Sequence, residues 1–171
     1  FAEIYGPMIH RFATKQNLQH ADAADVTQEV LRSVARSIGS LEYDPKIGRF
    51  RSWLFTVARN KIRNLVAKRL RQVAATGDSG IRAVIENQPS SDKEESSLWD
   101  QEYERRILEW ATEQIRDQFH DKTWQAFEMT AVDGKPAKGV AEILGMSVGA
   151  VYIAKSRVVA QLKSQIEEVG G

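Results

Sequence analysis

The most distinctive residues of this chain are a cluster of cations and aromatic side chains, which are suited to binding an anion rather than to making or breaking covalent bonds. Between Lys46 and Gln72 the sequence KIGRFRSWLFTVARNKIRNLVAKRLRQ holds nine basic residues and no acidic residue. Three aromatic residues, Phe50, Trp53 and Phe55, stand among the first of these charges. Unopposed cations repel one another, and a polyanion such as nucleic acid would relieve that repulsion. The segment therefore predicts a nucleic-acid-binding surface.

The basic segment is expected to lie on a helix. Its apolar residues recur at helical spacing, which predicts a helix from about Phe50 to Arg71 with one buried side. These residues are Phe50, Leu54, Val57, Ala58, Ile62, Leu65 and Leu70. The other sides carry positive charges and amides. Such a face can simply contact solvent, but the missing acids and the interleaved aromatics favour a binding role.

A second pattern, near the C-terminal end, indicates a helix-turn-helix. It places Val140 and Ala141 on a first helix, Gly145 in a tight turn, and Ser147 and Val151 at the start of a second helix. Glycine accepts the left-handed backbone of such a turn, and serine caps a helix N-terminus. The residues that could face a DNA major groove are Ser147, Val148, Gly149, Ala150, Tyr152, Lys155, Ser156 and Arg157. A plain corner in a helical bundle is the alternative.

The whole chain predicts an all-α protein of two small helical domains joined by a flexible linker, the second containing the helix-turn-helix. Helical periodicity also predicts helices within residues 1–18, 21–38 and 98–119. Asp22 is the expected N-cap of the second of these helices. Residues 73–97 are rich in Gly, Ser and acids, which predicts a flexible acidic linker. We therefore expect domains at residues 1–72 and 98–171. The first carries 13 basic and 6 acidic side chains, and the second 9 and 12.

Composition narrows the class of protein. The 171 residues include no cysteine, which excludes disulfides and thiolate-bound zinc. No apolar run approaches the roughly 20 residues that span a membrane, and no signal-peptide pattern opens the chain, so we expect a cytoplasmic protein. No catalytic triad, phosphate loop or HExxH motif is present, so we expect neither an enzyme nor a cofactor. Because the sequence begins at Phe1 within a helical pattern, we expect some preceding residues to be missing.

Two carboxylates one helical turn apart, Asp25 and Glu29, raise the question of a metal site. The histidines His10, His20 and His120 are scattered, and none stands at ligand spacing with the two acids. A solvated or protein-docking face is therefore favoured, and no metal is expected.

Three motifs in this order resemble those of bacterial RNA polymerase sigma factors of the sigma-70 family. They are Asp22-Ala23-x-Asp25-x-x-Gln28-Glu29-Val30, then Phe50-Arg51-x-Trp53-Leu54-x-x-Val57-Ala58-Arg59-Asn60, then the helix-turn-helix. The size and the absence of an intervening domain resemble the extracytoplasmic-function branch. The resemblance covers residues 1–72 and 98–171. It implies a non-enzymatic protein that gives core RNA polymerase promoter recognition and opens promoter DNA.

The resemblance also implies roles for individual residues. The surface that would dock on the clamp coiled coil of the polymerase β′ subunit comprises Asp25, Gln28, Glu29 and Arg32. The surface that would bind the −10 element comprises Tyr43, Lys46, Arg49, Arg51, Arg59, Asn60, Lys61, Arg63 and Asn64. Melted DNA needs cations for its backbone and aromatic planes for its bases, although we expect Phe50 and Trp53 to pack inside.

The same resemblance implies that the helix-turn-helix reads the −35 element and that its domain meets the polymerase β flap. In the family an anti-sigma factor often covers these surfaces. One departure concerns the second helix of the motif. Family members often carry Lys-Ser-Arg directly after the Val151 position, whereas here Tyr152-Ile153-Ala154 stands there and Lys155-Ser156-Arg157 follows. The start of this helix is therefore less basic than usual.

Two other classes of protein stay open. One is a stand-alone helix-turn-helix regulator of duplex DNA, which would need a dimer surface such as Leu98 to Phe119. The other is an all-helical adaptor whose basic face meets an acidic protein. Salt-dependent retention on DNA without polymerase would indicate the regulator. Retention on DNA only when core polymerase is present would indicate a sigma factor. If neither is observed, the adaptor is favoured.

Overall fold

The computed structural model describes residues 1–38, 47–76 and 91–170, which are mostly helical and include no strand. The helices are α1 (Ala2–Lys15), α2 (His20–Ser37), α3 (Ile47–Thr76), α4 (Asp92–Ile115), α5 (Asp121–Phe127), α6 (Ala137–Leu144) and α7 (Val148–Gly170). A 3-10 turn, Arg116–Gln118, follows α4, and a π-helical turn, Glu128–Val132, follows α5. The predicted all-α class is confirmed.

The chain divides into two compact units, Phe1–Arg106 and Ile107–Gly171. The division falls inside α4, so the first part of this helix belongs to the first unit. The linker was expected at residues 73–97, but α3 continues to Thr76 and α4 begins at Asp92. The middle of the expected linker, residues 77–90, lies outside the described residues.

Local chemistry explains the early start of α4. The Ser91 hydroxyl accepts a hydrogen bond from the Glu94 amide at 3.2 Å, which satisfies one free N–H group of the first turn. The acids Asp92, Glu94 and Glu95 lie in that turn, where negative charge interacts favourably with the helix dipole. The acidic run that suggests a linker is therefore a capped helix start.

The first unit is built from α1, α2 and α3 together with the first part of α4. The centre of its core holds Phe12 of α1, which is fully buried. Trp99 of α4 is 2% exposed, and its ring centroid lies 5.1 Å from that of Phe12 and 5.6 Å from that of Phe55. These contacts make α4 a part of the first unit's core.

Polar contacts also hold α4 to α1. Lys15 forms an ion pair with Glu102, whose side chain is 1% exposed. The Arg106 guanidinium donates two hydrogen bonds to the carbonyl of Glu3, at 2.9 and 3.1 Å. A buried carboxylate is costly unless it is paired, so the Lys15 contact fixes α4 against α1.

The start of α2 differs from the prediction. Asp22 was expected to cap this helix, but α2 begins two residues earlier, at His20, with Gln19 at the N-cap position. The Asp22 carboxylate instead accepts a hydrogen bond from Arg69 of α3 at 2.6 Å. One cation of the basic segment therefore ties α3 to α2.

The second unit has two adjoining apolar clusters. The first joins the end of α4 with α5 and α7, and it contains Ala111, Ile115, Trp124, Phe127, Val158 and Leu162. The second joins α5, α6 and the start of α7, and it contains Ala126, Val140, Ala141, Val151 and Ala154. The start of α7 is thereby fixed against α6.

Among the described residues, no single helix is long and apolar enough to cross a membrane. Taken together, the two helices Ala137–Leu144 and Val148–Val169 have the length and composition of a membrane span, but the chain bends by 102° between them.

Candidate nucleic-acid interface

Helix α3 presents part of the expected −10 surface to solvent. Asn60 and Asn64, one helical turn apart, are both exposed, and the side chain of Arg63 is 48% exposed. Arg59 lies on the same helix and is 21% exposed. Leu54, Ala58 and Ile62 are buried on the other side, which leaves the amides and arginines outward.

The side chains of three of the predicted −10 residues are not described by the structure. Tyr43 and Lys46 lie outside the described residues. Arg49 lies in α3, but its side chain is not described.

The two central arginines of α3 already contact carboxylates. The first turn of α4 places Asp92 3.2 Å from Arg59 and 2.9 Å from Arg63, and it places Glu95 3.2 Å from Arg63. The hydrogen bond from Arg63, and next the charge of Arg59, hold the pKa of Asp92 below its usual range. Asp92 is therefore ionised at neutral pH, and two acidic side chains stand beside the cations that were expected to bind DNA phosphates.

Arg51 is held in a different way. Its guanidinium lies 4.3 Å from the centre of the Tyr103 ring, a cation–π contact with α4. Its Nε is buried and has no hydrogen-bond partner among the described residues. Tyr103 also stacks on Tyr5, and burial, followed by the effect of Tyr103, raises the pKa of Tyr5 to about 12. Arg51 is thus partly a packing residue of the first unit.

The three aromatic residues of the basic segment are all half-buried. Phe50 contacts Trp53, with ring centroids 5.8 Å apart. Phe55 contacts both Phe12 and Trp99, and the Arg59 guanidinium is 5.3 Å from its ring. In this arrangement Phe55 supports Arg59, and none of the three rings is a freely exposed plane.

The expected polymerase-docking surface lies on α2. All four of its residues, Asp25, Gln28, Glu29 and Arg32, are exposed. Glu29 also pairs with Lys61 of α3 at 3.2 Å, so one member of this surface contacts one member of the expected −10 surface. In the part of the chain that the structure describes, no three His, Asp or Glu residues come together as a metal site.

The helix-turn-helix of the second unit has the expected geometry. Gly145 ends α6 in the left-handed conformation, with φ 65°, and the Met146 amide donates to the Ala141 carbonyl at 3.0 Å. The Ser147 hydroxyl accepts a hydrogen bond from the Ala150 amide at 3.1 Å and so caps α7. Buried Val151 faces inward.

The outer side of α7 carries the predicted groove-facing residues. Six of them are exposed: Ser147, Val148, Gly149, Tyr152, Ser156 and Arg157. Ala150 and Lys155 are half-buried. Ile153, which was not among the predicted residues, is 61% exposed beside Tyr152. Its position, two residues after the inward Val151, is the sequence signal that could have identified it.

Sequence reasoning also missed Asp92, Glu95 and Tyr103 as neighbours of the basic helix. The spacing of Ser91 and Glu94 matches a capping motif and could have indicated the helix start. No local signal specifies that this helix packs against α3.

An exposed row of amides and arginines on a basic helix is a surface suited to binding a polyanion such as DNA. The family model described as sigma-70 region 2 matches residues 1–72, so this part of the chain is similar to region 2 of sigma-70 family sigma factors and supports a role in transcription initiation. Members of the family are non-enzymatic factors that act with core RNA polymerase on promoter DNA in transcription initiation. No curated protein and no solved structure matches the chain.

Proposed function

We propose that this chain is a sigma factor of the extracytoplasmic-function branch, which docks on core RNA polymerase through α2 and opens the −10 region with α3. The observation that carries the proposal is the exposed row of Asn60, Arg63 and Asn64 within the part of the chain that matches region 2. Amides can hydrogen-bond base edges and arginines can neutralise phosphates. Tyr43 and Lys46, which lie outside the described residues, would complete the base-capturing site in this proposal.

In this proposal the second unit binds the −35 element of the promoter. The support is the capped helix α7, whose outer side is exposed and whose inner side is fixed against α6. The β′ clamp coiled coil and the β flap are the proposed polymerase contacts, and an anti-sigma factor is a proposed regulator.

Run-off transcription tests the function directly. Purified bacterial core polymerase is incubated with and without the full chain on a pool of promoter-sized fragments. Discrete start sites that depend on the chain support the proposal and reveal the promoter motif. If the chain neither co-elutes with core polymerase nor directs initiation, the sigma-factor role is wrong, and salt-dependent DNA retention without polymerase would then support a stand-alone regulator.

The docking surface on α2 can be tested by charge reversal. Asp25→Lys is expected to weaken binding to core polymerase by about tenfold or more, because like charges juxtaposed at an interface cost several kcal/mol. Glu29 needs a matched design, since Lys61 is its partner at 3.2 Å. The swap Glu29→Lys with Lys61→Glu keeps an internal ion pair while it reverses the exposed charge on α2.

Affinity for core polymerase is measured by fluorescence titration of each variant, with thermal unfolding as the check on folding. Arg36→Glu, a charge reversal at an exposed site near the end of α2, serves as the comparison. Wild-type affinity in both Asp25→Lys and the swap variant would exclude this face as the docking site.

Removal of the two carboxylates that contact α3 is expected to strengthen DNA binding. In the variant Asp92→Asn with Glu95→Gln, phosphates no longer compete with internal anions for Arg59 and Arg63, so promoter complexes should form several-fold more tightly at moderate salt. The comparison is Asp100→Asn with Glu104→Gln, which removes the same charge from exposed sites further along α4. Equal gains in both variants would show an effect of net charge rather than of competition.

A further inference from the structure

The first two turns of α7 present apolar side chains to solvent. Val151, Ala154 and Val158 face the core of the second unit and are at most 4% exposed. On the outer side, Tyr152 is 59% exposed and Ile153 is 61% exposed. Val148, in the first turn of the helix, is 40% exposed. Large apolar residues are therefore grouped at the end of the helix that a helix-turn-helix inserts into a major groove.

Charge is distributed along the same helix in a second pattern. From Ser147 to Ala154 there is no charged residue, and the cations Lys155, Arg157 and Lys163 follow. No acid occurs in α7 before Glu167. Gly149 lies on the outer side with no heavy atom within 4 Å of where a Cβ would stand. The first two turns of the helix, Val148 to Ala154, are thus uncharged and sterically open, and the cations begin at Lys155.

We propose that α7 recognises its duplex element through the 5-methyl groups of thymines, contacted by Val148, Tyr152 and Ile153. The inference rests on the promoter-reading function proposed for this unit. Thymine presents a methyl group in the major groove, and apolar side chains distinguish it there. A guanine contact would use a bidentate Arg or Lys, and the first two turns of α7, Val148 to Ala154, offer neither.

The basic part of α7, from Lys155 to Lys163, supplies the other requirement of a DNA contact. Lys155, Arg157 and Lys163 can neutralise phosphates, which positions the helix without reading sequence. An exposed apolar face can also receive a protein partner. The run of cations without a single acid from Ser147 to Ile166 favours a polyanion.

The test removes methyl groups from the DNA and nothing else. The full chain is reconstituted with core polymerase, and its promoter is selected from fragments with a randomised upstream duplex. The selected promoter is then rebuilt with uracil in place of thymine in the upstream duplex only, while the −10 segment keeps thymine. Uracil retains every hydrogen-bonding group of thymine and lacks only the methyl group.

Binding is expected to fall about fourfold for each contacted thymine, the effect of removing one buried methyl group. In the double variant Tyr152→Ala/Ile153→Ala, the ratio of the affinities for thymine and uracil fragments is expected to approach one. Val132→Ala, which truncates a 70% exposed apolar residue outside α7, is expected to leave the ratio unchanged.

The outcomes separate this inference from the proposed function. Discrete start sites with equal binding to thymine and uracil fragments would overturn methyl recognition and leave the sigma-factor role intact. No start sites on any fragment would overturn the proposed function, and the inference with it. Loss of core polymerase binding in the Tyr152 and Ile153 variant, with no change in DNA preference, would assign this face to a protein partner and overturn the inference.

Discussion

The double substitution Arg59→Ala with Arg63→Ala is expected to abolish most promoter-complex formation at physiological salt while binding to core polymerase persists. Both arginines lie on α3 next to the exposed amides Asn60 and Asn64. Each phosphate contact that is lost removes about 0.7–0.9 from the slope of log affinity against log salt concentration. The slope should therefore fall by about 1 to 2, and a filter-binding salt series with holoenzyme measures it.

The same two arginines hold Asp92 and Glu95, so the double variant also leaves two carboxylates without their partners. Those carboxylates could repel DNA on their own. A combined variant, with Asp92→Asn and Glu95→Gln added, separates the two effects, because the carboxylates are then neutral.

If the arginines bind phosphates, the combined variant retains the low salt slope of the arginine variant. A return to the wild-type slope would show that the arginines serve only to neutralise α4. Open-complex formation at wild-type levels in the arginine variant would remove α3 from the −10 surface altogether.

The substitution Trp99→Ala is expected to destabilise the first unit by about 3–5 kcal/mol, the usual cost of truncating a buried tryptophan. Trp99 is 2% exposed and contacts both Phe12 of α1 and Phe55 of α3. The alanine would leave a cavity that the bundle can fill only by moving α4. Loss of the Trp99 ring should therefore weaken helices that are distant from it in sequence.

Hydrogen exchange read by mass spectrometry suits this measurement, because a chain with two units need not unfold in one step. Amides of α1 and α3 should lose protection, while those of α5, α6 and α7 keep it. Trp99→Phe, which retains much of the apolar surface, should lose less. Unchanged protection in α1 would mean that α4 is not a structural part of the first unit.

Sequence periodicity predicts helices well here because each helix carries its own apolar stripe. Leu54, Ala58 and Ile62 are buried as expected, and the turn at Gly145 has the predicted left-handed backbone. The predicted stripe on α3 is nevertheless too long. Leu70 is 38% exposed, because α3 continues beyond the core it packs against.

The placement of α4 could not be predicted in the same way. The spacing of Trp99, Tyr103 and Ile107 shows that one side of this helix is buried, but an apolar stripe does not specify which core covers it. The pairing of Arg63 with Glu95 likewise joins residues far apart in sequence. Such contacts depend on tertiary packing, whereas the cap at Ser91 is local and could have been predicted.

The position of α4 limits how evolution or protein engineering can recombine this chain. The recognisable region 2 ends at residue 72, but the unit that contains it extends to Arg106. Exchange of residues 1–72 for the matching domain of a relative would leave Trp99, Tyr103 and Glu102 against a core with different side chains. The segment that must be exchanged as a whole is therefore the entire first unit, Phe1–Arg106, rather than residues 1–72. A chimera that keeps this core intact would be joined within α4, after Arg106.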